Sequence, residues 1–122
     1  MDLWERVALL QSSGQITKAE RLQLDKLLTE LRDAWSIPLE DETAVSLVTH
    51  LALAGARVNR QETVAPLEAA LVAEVHRSAF YERSQAMLDR IETLLQVSFP
   101  TEEKGYLLLH LCNLLQKVEE AK

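Results

Sequence analysis

The chain has 122 residues, 48% of them apolar and 26% charged, and its 13 Lys and Arg against 19 Asp and Glu leave a formal charge of −6. That length suits one domain, which buries about two thirds of its unfolded surface and needs no disulfide or metal staple. Three Gly, three Pro and long stretches without turn residues exclude a β-sandwich or a disordered chain and point to an all-α fold.

Asp2 to about Gln11 reads as a short lead-in helix with Trp4, Val7, Ala8 and Leu10 on a loose stripe, broken by Ser12-Ser13-Gly14. Thr17 and Glu20 have capping-box spacing, and Leu24, Leu27, Leu28, Leu31 and Trp35 then recur every three or four residues, which predicts a helix from Lys18 to Ala34. Ile37-Pro38 ends it, because proline lacks the N–H that a helix interior needs. The acidic trio Glu40-Asp41-Glu42 suits the start of a second long helix, since carboxylates favour the positive end of the helix dipole. Ala44, Val45, Val48, Leu51, Ala54 and Val58 give that helix a broad apolar stripe to about Asn59. Pro66 predicts the first residue of a third, short helix with Leu67, Leu71 and Val75 inward. A fourth runs from Phe80 to about Gln96, through Met87, Ile91, Leu94 and Leu95. Phe99-Pro100 precedes the fifth, for which Thr101 is the expected cap, and Leu107, Leu108, Leu111, Leu114, Leu115 and Val118 form its core face. The expected architecture is a compact five-helix bundle with a lead-in helix. It divides into a lead-in segment (1–16), a helical domain (17–118) and a solvated C-terminal tail (119–122). The second and fifth helices, with the broadest stripes, are expected at the centre.

Chemistry has few places to sit. No Gly-rich phosphate loop, Cys-x-x-Cys or His-Glu-x-x-His is present. A hydrolase or metal enzyme built on His50, His110 and Glu103 lacks a third imidazole or thiol at ligand spacing, so no metal and no cofactor is expected. The acidic balance and the lack of a Lys/Arg cluster argue against direct nucleic-acid binding. No run approaches the roughly 20 apolar residues of a membrane span. The lone Cys112 and the absence of a signal-like leader suit the cytoplasm. Cys112 is expected to be a buried apolar residue, Trp4 and Trp35 core or interface aromatics, and His76 a partner for its helix's C-terminal dipole.

His50 and His110 border the two most apolar helices. Arg57 follows His50 by seven residues, almost two turns, on the same face and about 10.5 Å along the axis. Glu103, Tyr106, His110, Asn113 and Lys117 form a polar row beside the leucine face of the last helix. A neutral imidazole is a competent nucleophile towards a phosphoryl group, and a cation such as Arg57 can hold the product. On spacing alone, two half-buried histidines with local hydrogen bonds are the favoured reading.

The segment His50-Leu51-Ala52-Leu53-Ala54-Gly55-Ala56-Arg57 resembles the first signature of the PTS regulation domain (PRD) family, a histidine followed seven positions later by an arginine. Ile91-Glu92, Val97, Phe99-Pro100, Glu103, Gly105-Tyr106-Leu107 and His110-Leu111 resemble its closing signature. Arg77-Ser78 replaces a common Tyr-Pro pair, and Thr49 replaces the Asp that often precedes the first histidine.

The resemblance implies a freestanding module of the kind found in bacterial sugar-responsive antiterminators and transcription activators. It is a switch and not an enzyme, with His50 and His110 as phosphoacceptors and Arg57, Glu103 and Tyr106 in support. HPr or an EIIB component of the phosphotransferase system would donate the phosphoryl group. A homodimer, and a transcriptional regulator as a further partner, are expected. Arg57 would hold phosphate on His50 and Glu103 would repel it on His110, so the two sites should respond in opposite senses. The alternative is a helical dimerisation or adaptor domain that keeps the fold without phosphorylation.

Overall fold

The computed structural model describes residues Met1–Lys122, and every regular element in it is an α-helix. Their order is α1 (Leu3–Ser12), α2 (Lys18–Asp33), α3 (Glu42–Asn59), α4 (Ala69–Arg77), α5 (Tyr81–Leu95) and α6 (Thr101–Glu120). The count is therefore six: the five expected helices and the lead-in, which is a full helix of 10 residues.

Three of the starts are built by side-chain caps. Asp2 accepts from the Glu5 N–H at 2.8 Å. Thr17 and Glu20 close the capping box, with the Glu20 N–H on the Thr17 hydroxyl at 3.1 Å and the Thr17 N–H on the Glu20 carboxylate at 2.7 Å. Asp41 accepts from the N–H groups of Thr43 and Ala44, which fixes where α3 begins. Each cap satisfies donors that the first turn of a helix leaves unpaired.

Two starts depart from expectation. Thr101 is the first residue of α6 and caps nothing; Pro100 holds the cap position with no side-chain bond. Pro66 does not open α4, which begins at Ala69 after Glu68. The reason lies across the bundle. The Tyr106 hydroxyl donates to the Ala65 carbonyl at 3.1 Å, and Leu67 lies so close to α6 that a Cβ on Gly105 would sit 3.3 Å from the Leu67 Cβ. Residue 65 precedes a proline, which disfavours the helical region there, and these two contacts hold the segment against α6 in place of a first helical turn. Gln96 ends α5 in the left-handed region at φ 54°, a cap more often made by glycine.

One core runs through the molecule. α3 packs most extensively on α6, as the breadth of their stripes predicts, and α5 lies against both α2 and α6. Leu24, Leu27, Leu28 and Leu31 of α2, Leu47, Val48 and Leu51 of α3, Ile91 of α5 and Leu107, Leu111 and Leu114 of α6 are all buried. α1 belongs to the same core, for its Leu3, Val7 and Leu10, with Ile16 of the following loop, are buried in it. The lead-in segment thus packs into the common core. Residues 119–122 are all exposed, although α6 continues through Glu120. Cys112 is buried, its sulfur 3.3 Å from the hydroxyl of the equally buried Ser84, and Trp4 and Trp35 are partly buried against the core.

Candidate functional site

α3 and α6 run antiparallel, and a step of seven residues down one matches a step of seven up the other. Three polar contacts therefore stack along one seam at two-turn intervals. At one end Lys117 of α6 reaches back to α3, with its Nζ 2.9 Å from the Asp41 carboxylate and 3.5 Å from the Thr43 hydroxyl. In the middle the rings of His50 and His110 meet with centroids 4.9 Å apart and planes inclined at 55°. At the other end Arg57 donates two hydrogen bonds to Glu103, Nε to one carboxylate oxygen at 2.9 Å and Nη2 to the other at 3.0 Å.

The middle contact brings together residues 60 positions apart in sequence. Tyr106, one turn before His110, stacks on His50 with centroids 6.0 Å apart. Both histidines are partly buried, and burial holds both imidazoles below the ordinary value. For His50 the second ring and the Arg57 cation push the same way, and the Glu103 carboxylate pulls weakly back. The pair is therefore neutral at pH 7, the protonation state in which an imidazole nitrogen offers its lone pair. The Nε2 of His50 is buried without a hydrogen-bond partner.

Arg57 and Glu103 form the strongest ion pair of the seam. Glu103 is 1% exposed, and Arg57, whose guanidinium matches the carboxylate with two parallel bonds, is its side-chain partner. The carboxylate in turn raises the already high pKa of Arg57 by hydrogen bonding. These two residues therefore act on each other. Where spacing placed Arg57 with His50 and Glu103 with His110, the structure sets the two histidines side by side and bonds Arg57 to Glu103.

Of the expected polar row, Glu103, Tyr106, His110 and Lys117 all face the seam, and Asn113 is exposed. His76 stands apart in the last turn of α4, edge-on to Tyr81 at 4.7 Å. No group of three or more His, Cys, Asp or Glu side chains that could hold a metal ion is present, and no helix is long and apolar enough to cross a membrane. Sequence reasoning missed the Asp41 and Thr43 contacts of Lys117 and the contact of Leu67 with Gly105. The seven-residue spacing already used for Arg57 and Glu103, extended one step further on both helices, arrives at Thr43 and Lys117.

The PRD domain family matches residues 25–114, from the middle of α2 to a point six residues before the end of α6. The chain belongs to this family. A PRD is a regulatory module, and both signature segments of this one, His50 to Arg57 and Glu103 to His110, fall inside the match. α1 and Lys117 fall outside it. The chain is 30% identical over 119 residues to the protein of Escherichia coli (strain K12) described as uncharacterized protein YhfY, an alignment covering 94% of this chain and 96% of that protein. No solved structure matches.

Proposed function

We propose that this PRD is a phosphorylatable switch of the phosphotransferase system, in which the His50–His110 pair takes a phosphoryl group and a protein partner reads the change. One observation carries the reading: two neutral imidazoles meet at 4.9 Å in the middle of the central helix seam, where added charge disturbs packing directly. In the transfer, an imidazole nitrogen attacks phosphorus as the N–P bond of a donor phosphohistidine breaks. The electron pair returns to the donor ring, and the acceptor's ring N–H proton passes through solvent to that donor nitrogen. HPr is a donor of this chemistry; an EIIB component that carries its phosphoryl group on a cysteine would break an S–P bond instead, the thiolate keeping the electron pair. The product carries about −1.5 to −2 charges beside apolar side chains and must find cations or move into water. Either response alters the α3–α6 surface offered to a partner, whether a second copy of the chain or a transcriptional regulator.

A second reading has its own support. The His50 Nε2 has no exposed surface, and Arg57 is already committed to Glu103, which suits a helical adaptor that keeps the fold without accepting phosphate. Incubation with phosphoenolpyruvate, enzyme I, HPr and candidate EIIB proteins, followed by mass spectrometry without acid, separates the two. A phosphoryl group on a peptide containing His50 or His110, absent from the His50→Ala/His110→Ala double variant, is the expected result. An unlabelled chain in the presence of all donors leaves the adaptor.

A further inference from the structure

We propose that Lys117 is the cation that closes on a phosphoryl group carried by the histidine pair, leaving Asp41 and Thr43 to do so. The inference rests on the reading of His50 and His110 as phosphoacceptors and adds a residue that lies beyond the family's match.

Three cations lie near the pair. Arg57 is two turns from His50 along α3, but its transfer to phosphate would strip a carboxylate that is 1% exposed and has no other side-chain partner. Removing one member of such a buried pair is strongly unfavourable, because an uncompensated charge stays behind. Arg6 of α1 lines the surface cleft onto which His50 opens, yet Glu40 and Glu42 line the same cleft and oppose an anion there. Lys117 has neither obstacle. Its side chain is 50% exposed, and Asp41, 21% exposed, keeps the N–H groups of Thr43 and Ala44 after Lys117 leaves. Asp41 also remains at the N-terminus of α3, where the helix dipole favours a carboxylate.

The geometry suits the exchange. The Cα–Cβ bonds of a helix tilt towards its N-terminus, so a Lys117 side chain released from Asp41 can swing along α6 towards His110. The axial gap is about 10.5 Å, spanned from one side by the lysine stem and from the other by the imidazole and its phosphoryl group. Phosphorylation then exchanges one contact of the seam for another: Lys117 releases the start of α3 and joins the middle of the seam, while the Arg57–Glu103 pair stays closed.

The test uses phosphoramidate, whose N–P bond breaks with release of ammonia as the imidazole takes the phosphoryl group, so that no protein donor is involved. Phosphorus NMR then follows the titration of the phosphohistidine, which a nearby cation shifts to lower pH. In Lys117→Gln that midpoint is expected about half a pH unit above the wild type, a threefold weaker hold on the dianion. Asp41→Asn, which still caps α3 but frees Lys117, is expected to titrate below the wild type. High salt should draw the three curves together. Coincident titrations of wild type and Lys117→Gln, with label on His50 or His110, overturn the role of Lys117 and leave the phosphoacceptor reading standing. A wild-type chain that takes no label at either histidine overturns both.

Discussion

His50 and His110 tie the stability of the fold to pH. Burial holds both imidazoles below the ordinary 6.5 of the unfolded chain, so as pH falls the unfolded state takes up its protons first. Stability therefore rises with pH across this range: the contribution is complete above 6.5 and is lost as pH falls through the lower folded-state values. The urea midpoint of the wild type is expected to drop between about pH 7 and about pH 5, and His110→Gln should flatten the drop, since it removes one titrating ring and relieves the other of its neighbour's charge. Asp41 and Glu30, held below the usual carboxylate range by hydrogen bonds from Lys117 and Arg90, lose their contributions only in more acidic solution. A midpoint that does not move between pH 7 and pH 5 would mean that both rings protonate freely in the folded chain.

At the scale of the elements, the seam between α3 and α6 is closed by two ion pairs of unequal worth. Arg57→Ala leaves Glu103 charged and enclosed, and is expected to cost about 3–5 kcal/mol. Lys117→Ala breaks an exposed pair and should cost less than about 1 kcal/mol. Arg57→Met combined with Glu103→Leu removes both charges together and should recover most of the first loss. Chemical denaturation of the three variants checks the order, and equal small losses for the two single substitutions would put Glu103 in contact with water. How much of this seam is legible in the sequence follows from periodicity. A helix repeats its face every seven residues, so His50 with Arg57, and Glu103 with His110, can be read as two polar rows. What spacing cannot supply is which row faces which. That depends on α3 and α6 being antiparallel neighbours, a property of the whole bundle. The same division holds for the helix ends. Thr17 and Asp41 act within their own chain segment and are visible locally, whereas the delayed start of α4 is decided by Tyr106 and Gly105, some 40 residues away.

For the whole molecule, the question is whether α1, which precedes the family's match, folds as part of the same cooperative unit. Its Leu3, Val7 and Leu10 are buried among side chains of the common core. Further links join it to α2: Arg21 donates to the Gln11 side chain at 3.1 Å, and the Arg32 guanidinium lies 5.8 Å from the centre of the Trp4 ring. Full burial of one aliphatic side chain stabilises by about 1.5–3 kcal/mol, so three of them are a large part of the roughly 5–15 kcal/mol that separates a folded domain from its unfolded chain. Extended-chain areas overstate this gain, and the entropy of ordering a 10-residue helix opposes it, but the face left bare on α2 and α3 when α1 departs remains a cost to the rest of the molecule. Val7→Asp places a carboxylate where a side chain is 1% exposed and should undock α1. In a Trp4→Phe background the remaining Trp35, packed on the core beyond the end of α2, reports on the molecule outside α1. If α1 is integral, Val7→Asp lowers the urea midpoint seen by Trp35 fluorescence and by helical circular dichroism together. If Trp35 keeps its midpoint while only part of the helical signal is lost, α1 is an appendage that the remaining five helices do without.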